Sequence, residues 1–193
     1  TSTPPPGRSD TATTDGSAMS AAASRRSSSA MTTYWTGRSV IRRRIWPMEA
    51  AHSPDTLRAA TRLAAAELLL SGTTTALTME TVHDTDVVFD ALAEFGLRAT
   101  VGKCMMDSDD SVPARLREPT QASIDESVAL RKRWEGAADG RLRAAFAPRF
   151  AVSCSRELLE AVADLSARER VIVHTHASES RDDVDVVRQL SGG

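Results

Sequence analysis

From Ser53 to Leu190, stretches with apolar residues at helical spacing alternate with short β-branched runs, and no other feature restricts the fold as much. Ser53-Pro54 reads as a helix start, with Ser at the N-cap and Pro at the first helical position. Leu57, Ala60, Leu63, Ala64 and Leu68 then recur at helical spacing until Gly72 stops the helix. Thr73 to Met79 reads as a strand. Asp84 or Thr85 opens a helix through Val87, Val88, Ala91, Leu92 and Phe95 that Gly96 closes, and Arg98 to Met106 is the next strand. Thr120 is expected to cap a helix through Ile124, Val128, Leu130 and Trp134, broken by Gly136 to Gly140. Leu142 to Ala147 is then a strand, Leu158 to Leu165 marks a helix, Val171 begins a strand, and Asp182 to Leu190 is a last helix. About four strands, each joined to the next by a helical crossover, predict a parallel α/β sheet with its chemistry at the strand C-termini. An open doubly wound sheet would give the same pattern, but no Gly-rich phosphate loop follows the first strand. The alternation therefore favours part of a (β/α)8 TIM barrel.

One strand end is richer than the others. Val171-Ile172-Val173 is β-branched throughout and reads as buried; His174 and His176 follow on one face, and Glu179 falls where strand should give way to loop. An imidazole that can hold a metal, beside a carboxylate left free to move protons, is what metal-assisted hydrolysis needs. A hydrogen-bonded core pair and a helix cap would carry the same letters, and the short motif does not separate the two. Glu80, His83 and Arg149 stand at other strand ends. His83 reads as a solvated loop histidine, and His174 as a hydrogen-bonded neighbour of His176. For Arg149, a strand-end salt bridge is the alternative to a binding role.

The chain has 193 residues, 41% hydrophobic and 26% charged, enough to bury one domain's core. A formal net charge of -2 gives no electrostatic reason to expect nucleic acid or a membrane surface as partner. No apolar run approaches the ~20 residues of a membrane span. The only cysteines, Cys104 and Cys154, have no metal-site or disulfide spacing, so a reducing cytoplasmic location is expected. Residues 1–44 are dominated by Ser, Thr, Ala, Pro, Gly and Arg and cannot offset their ordering entropy by apolar burial. They are read as a low-complexity segment, disordered or translated from a shifted frame, ahead of a barrel segment over residues 45–193.

Four blocks carry a family resemblance: Leu-Ser-Gly-Thr-Thr-Thr at 70–75, Gly-Leu-Arg-Ala-Thr-Val-Gly-Lys-Cys-Met-Met-Asp at 96–107, Ala-Pro-Arg-Phe-Ala-Val-Ser-Cys-Ser at 147–155 and His-Thr-His-Ala-Ser-Glu-Ser-Arg-Asp at 174–182. In this order they resemble the zinc-dependent amidohydrolases and, within them, the guanine deaminases. The resemblance implies the central part of a (β/α)8 barrel, a purine substrate and one Zn2+ per complete active site. It implies that His176 is a zinc ligand and that Glu179 is the catalytic acid/base. Arg149 and Phe150 would hold the base, through guanidinium donors to O6 and N7 and through an aromatic face. The complete enzyme would turn guanine into xanthine and ammonia, and a homodimer is compatible with it. Related activities on S-adenosylhomocysteine, other adenosine derivatives or triazines, and a non-catalytic module, are the alternatives. The family's His-x-His strand, a further histidine and a metal-binding aspartate have no counterpart in this sequence, so the chain alone is expected to be inactive.

Overall fold

The computed structural model describes residues 40–108 and 112–192, all within one compact unit, Gly37–Gly193. Residues 1–39 of the stretch expected to be disordered lie outside the described residues. Residues 40–44 are helical, so helix begins ahead of residue 45: a π-helical turn, Ile41–Ile45, runs into α1, Trp46–Ala50. Helix α2, Pro54–Leu70, starts as expected at Ser53, where side chain and backbone exchange hydrogen bonds with Thr56 in a capping box.

Strand β1 (Thr75–Met79), helix α3 (Thr85–Phe95), strand β2 (Arg98–Met105), helix α4 (Thr120–Trp134), strand β3 (Leu142–Pro148), helix α5 (Arg156–Glu169) and helix α6 (Arg181–Ser191) complete the series. The strands pair in parallel in the order β1-β2-β3, with Met79 opposite Gly102 and Gly102 opposite Ala145. Sequence order is thus preserved across the sheet, as in consecutive units of a (β/α) barrel.

Two further expectations about the elements need correction. The stretch at Val171 does not form a buried strand. Val171 is buried, but Ile172 and Val173 are 49% and 41% exposed, and only Val173 bridges β3, at Phe146. The segment is nevertheless parallel-paired in outline, since Phe146 N–H donates to Ile172 O and His174 N–H to Phe146 O. It lies on the outer edge of β3 with no strand beyond it among the described residues, so β-branched side chains meant for a two-sided interior stay in solvent. Thr120 is not the N-cap of α4. Pro119 occupies that position, and the Thr120 hydroxyl donates instead to Asp107 Oδ2 at 2.6 Å.

Alternation along β2 divides its side chains between two environments. Ala99 and Val101 join Leu57, Val88, Phe89, Leu92, Leu130 and Leu142 in a core under the helices, where the Phe89 and Trp134 rings stack 5.1 Å apart. Lys103 lies on the same face, almost fully buried, with its ammonium on Glu118 and 3.6 Å from Glu126. His83, expected to be solvated, is half-buried: its Nε2 meets Arg115 O at 2.6 Å, and it stands with Glu118 and Glu126, their ligating atoms within 4.8 Å of one another. This trio is the only close group of metal-capable side chains among the described residues, yet Lys103 already supplies its cation.

On the opposite face Gly102 is a packing requirement, because a Cβ there would stand 2.6 Å from the Ala147 Cβ and 3.3 Å from Thr78 O. We expect Gly102→Ala to lower unfolding free energy in urea by about 1–3 kcal/mol through overpacking. Lys103→Met should lower it by about 3–5 kcal/mol, because the buried Glu118 loses its partner. Lys103→Met combined with Glu118→Leu should recover most of that loss; an additive double variant would contradict the coupling.

Candidate active site

The parallel order brings the ends of β1, β2, β3 and the Val171 segment to one rim. Asp107, just past β2, organises that rim. Its Oδ1 accepts from Ser155 N–H and its Oδ2 from the Ser155 and Thr120 hydroxyls, all at 2.6 Å. Ser155 in turn caps α5 through Leu158 N–H. One carboxylate thus fixes the starts of two helices and the 149–155 turn between them, where Ser153 N–H donates to Phe150 O and Ser108 N–H to Ser153 O.

Arg149 links the rim to the histidine segment through its backbone. Its N–H donates to Met105 O at 3.1 Å, and its carbonyl accepts His176 N–H at 2.9 Å. Its side chain forms a buried ion pair: Nη1 lies 2.7 Å from Glu49 Oε2 of α1 and 3.7 Å from Cys104 Sγ. The Arg149 and Glu49 side chains are 11% and 9% exposed. Two buried atoms of the pair, Arg149 Nε and Glu49 Oε1, have no hydrogen-bond partner. Both residues line a cavity of about 410 Å³ together with Glu80, His52 and His176.

His176 also borders a second cavity of about 220 Å³, with Phe150, Val152, Glu179, Val184 and Val187. Its Nδ1 lies 3.6 Å from Glu179 Oε1. The structure thus gathers the four residues singled out in the sequence around His176, Arg149 on one side and Phe150 with Glu179 on the other. Arg149 and Glu179 do not line a common cavity. The expected hydrogen bond from the His174 ring is not formed: its buried Nδ1 has no partner, and its ring lies 6.3 Å from that of His176. Burial keeps both thiols protonated, pushing Cys104 up to about 12 and Cys154 up to about 11, so neither is a nucleophile.

Sequence reasoning missed Glu49 and the Lys103 cluster. Glu49 is 100 residues from Arg149 in sequence and carries no spacing signal. A lysine inside the apolar run of β2 was a usable signal, since a buried ammonium demands an acidic partner.

Catalytic zinc takes about three protein ligands and a water. His176 offers one, 39% exposed, and no close group of three metal-capable side chains among the described residues includes it. These residues by themselves do not form a zinc site.

Comparison with known proteins agrees with the fold. Residues 27–193 match the amidohydrolase family, and the chain belongs to that family. It is 33% identical over 148 residues to a 5-methylthioadenosine/S-adenosylhomocysteine deaminase of Pelotomaculum thermopropionicum, covering 77% of this chain and 32% of that protein. The crystal structure of guanine deaminase from C. acetobutylicum with bound guanine in the active site superposes with a TM-score of 0.76 at 27% identity, over 81% of this chain and 37% of that one. E. coli guanine deaminase gives 0.72 at 31% identity, over 80% and 36%. The chain spans about a third of the length of these relatives. No described helix is long and apolar enough to cross a membrane.

Glu80 gives the site a pH signature. Burial pushes its carboxyl above the ordinary 4.5, with the Thr78 side chain pulling the other way. A carboxyl whose folded pKa is raised stabilises fully below the unfolded value, and that stability is lost as pH rises towards the folded one. In urea titrations across pH 4–8, wild type should therefore lose stability relative to Glu80→Gln from about pH 4.5 upward. A difference that stays constant with pH would show that Glu80 is not perturbed.

Proposed function

We propose that this chain supplies the base-holding and proton-moving residues of a hydrolytic purine deaminase that acts on guanine. The observation that carries this reading is the convergence on His176 of Arg149 and Phe150 from the end of β3 and of Glu179 from the following loop. The guanine deaminase structures at 27% and 31% identity support the choice of base.

The overall reaction adds water at the ring carbon bearing the amine and releases ammonia, giving xanthine. Arg149 has donors left after its bond to Glu49, and these suit the O6 and N7 acceptors of guanine. Phe150 offers an aromatic face to the ring. Glu179 is the group free to accept a proton from the attacking water, pass it to the ring and then to the departing amine. Members of the family generally use a divalent metal. His176 would be one ligand of it, with the remaining ligands from outside the described residues.

A second reading, deamination of a 5′-substituted adenosine, is favoured by the activity of the relative at 33% identity. Calorimetric titration of the purified chain separates the two. Guanine should bind more tightly than 5′-methylthioadenosine, and Arg149→Ala should weaken guanine by about tenfold or more, the worth of one charge-assisted hydrogen bond. Tighter binding of the nucleoside would overturn the guanine assignment; guanine binding indifferent to Arg149 would overturn the site. Where residues 53–190 replace the matching part of E. coli guanine deaminase, Glu179→Gln should lower kcat about 10²–10⁴-fold.

A further inference from the structure

We infer that Glu49 is a positioning residue that sets which edge of the Arg149 guanidinium faces the ligand, and so makes the cavity select guanine over adenine. The inference rests on the reading of Arg149 as the base-holding residue.

A guanidinium has five N–H donors in one plane, and it can present different pairs of them to a ligand. Here that choice is constrained. Both hydrogen bonds of the Arg149 side chain among the described residues leave from Nη1, to Glu49 Oε2 at 2.7 Å and to Cys104 Sγ at 3.7 Å. Nε is buried and has no partner. Glu49 comes from α1, a separate element from the β3 end that carries Arg149, so the side chain is held at its tip as well as at its root. The two side chains are each about nine-tenths buried, which leaves little room for the guanidinium to turn.

With Nη1 committed, the donors still unspent are those of Nε, which is buried without a partner, and Nη2, and these two form a fork. Such a fork offers two parallel donors and matches two adjacent acceptors. Guanine presents that pair at O6 and N7, whereas adenine presents N7 beside the N6 amine, which is itself a donor. Turning the guanidinium to another edge would bring the pair now spent on Glu49 into play and relax the fit. Leaving a buried donor facing another donor is among the costlier mismatches a polar site can impose, so the discrimination expected is large.

Glu49 is expected to act through Arg149, and a double-mutant cycle shows whether it does. Guanine and adenine would be titrated into the full chain as wild type, Glu49→Gln, Glu49→Ala, Arg149→Ala and the double Ala variant. Wild type should prefer guanine by about tenfold or more. Glu49→Gln keeps an acceptor for Nη1 and should retain most of that preference, whereas Glu49→Ala should narrow it to within about threefold. In the Arg149→Ala background, Glu49→Ala should have no further effect on the preference. The Nε–H resonance of Arg149 in 15N NMR adds a structural readout, expected to be sharp in wild type and Glu49→Gln and broadened in Glu49→Ala.

If Glu49→Ala binds the two bases as wild type does, or weakens both equally while Glu49→Gln does the same, the positioning role is wrong although Arg149 still holds the base. If guanine fails to bind wild type, or Arg149→Ala binds it unchanged, the reading of Arg149 itself falls and this inference falls with it. Should Glu49→Ala not fold, the Glu49→Gln preference and its Nε–H signal decide the matter: loss of both with the fold intact would overturn the role.

Discussion

The rim of the sheet depends on the backbone of one residue. Arg149 N–H continues the β3 ladder onto β2, and its carbonyl is the acceptor that brings His176 to the site. Inside a parallel ladder one residue's N–H and carbonyl face the same neighbour, as those of Phe146 do, but Arg149, just past the end of β3, sends them to different ones and is tied to both β2 and the His176 segment. The Asp107 carboxylate extends the same control sideways, tying the starts of α4 and α5 to the end of β2.

Rigidity falls away at the edge. The Val171 segment is held by β3 on one side only, and Ile172 and Val173 remain in solvent. Helix α6, which follows it, likewise leaves Leu190 62% exposed. His176 and Glu179 sit between these two loosely covered pieces, half-exposed, whereas Arg149 and Glu49 are almost sealed. The Arg149–Glu49 half of the site is therefore more fully enclosed by the described residues than the His176–Glu179 half. This contrast agrees with a chain that spans about a third of the length of its relatives.

What could be read in the sequence was what local chemistry determines. Ser53-Pro54, Gly96 and the apolar spacing of α2, α3 and α5 marked their elements because capping and periodicity act over a few residues. The order of strands followed from the same alternation, and the strand-end location of Arg149 and His176 followed from the order. Burial of the Val171 run could not be read that way, since β-branched composition describes a strand with neighbours on both sides and says nothing of whether they are present. Thr120 was misplaced by one position because its hydroxyl answers to Asp107, and that bond is tertiary. Glu49 was silent for the same reason: in sequence it is one acid in a helical turn, and its meaning comes from a guanidinium brought to it by the sheet.

Lys103 shows how far composition alone can mislead in the opposite direction. Neighbouring residues Val101, Cys104 and Met105 are buried apolar side chains of a strand, and a lysine among them would ordinarily face outward. It instead points under α4 and is met by Glu118 and Glu126, two carboxylates for one ammonium. Burial then pushes the Glu126 carboxyl above its usual range, with Lys103 opposing and Glu118 adding to the shift, and His83 is drawn in from the loop after β1. A buried ion pair of this kind adds little net stability over an apolar replacement, yet breaking it is costly. The cluster ties both Glu118, just ahead of α4, and Glu126 within it to β2. Thr120 of α4 is also held by Asp107, so the same helix is bonded to the rim on which Arg149 stands.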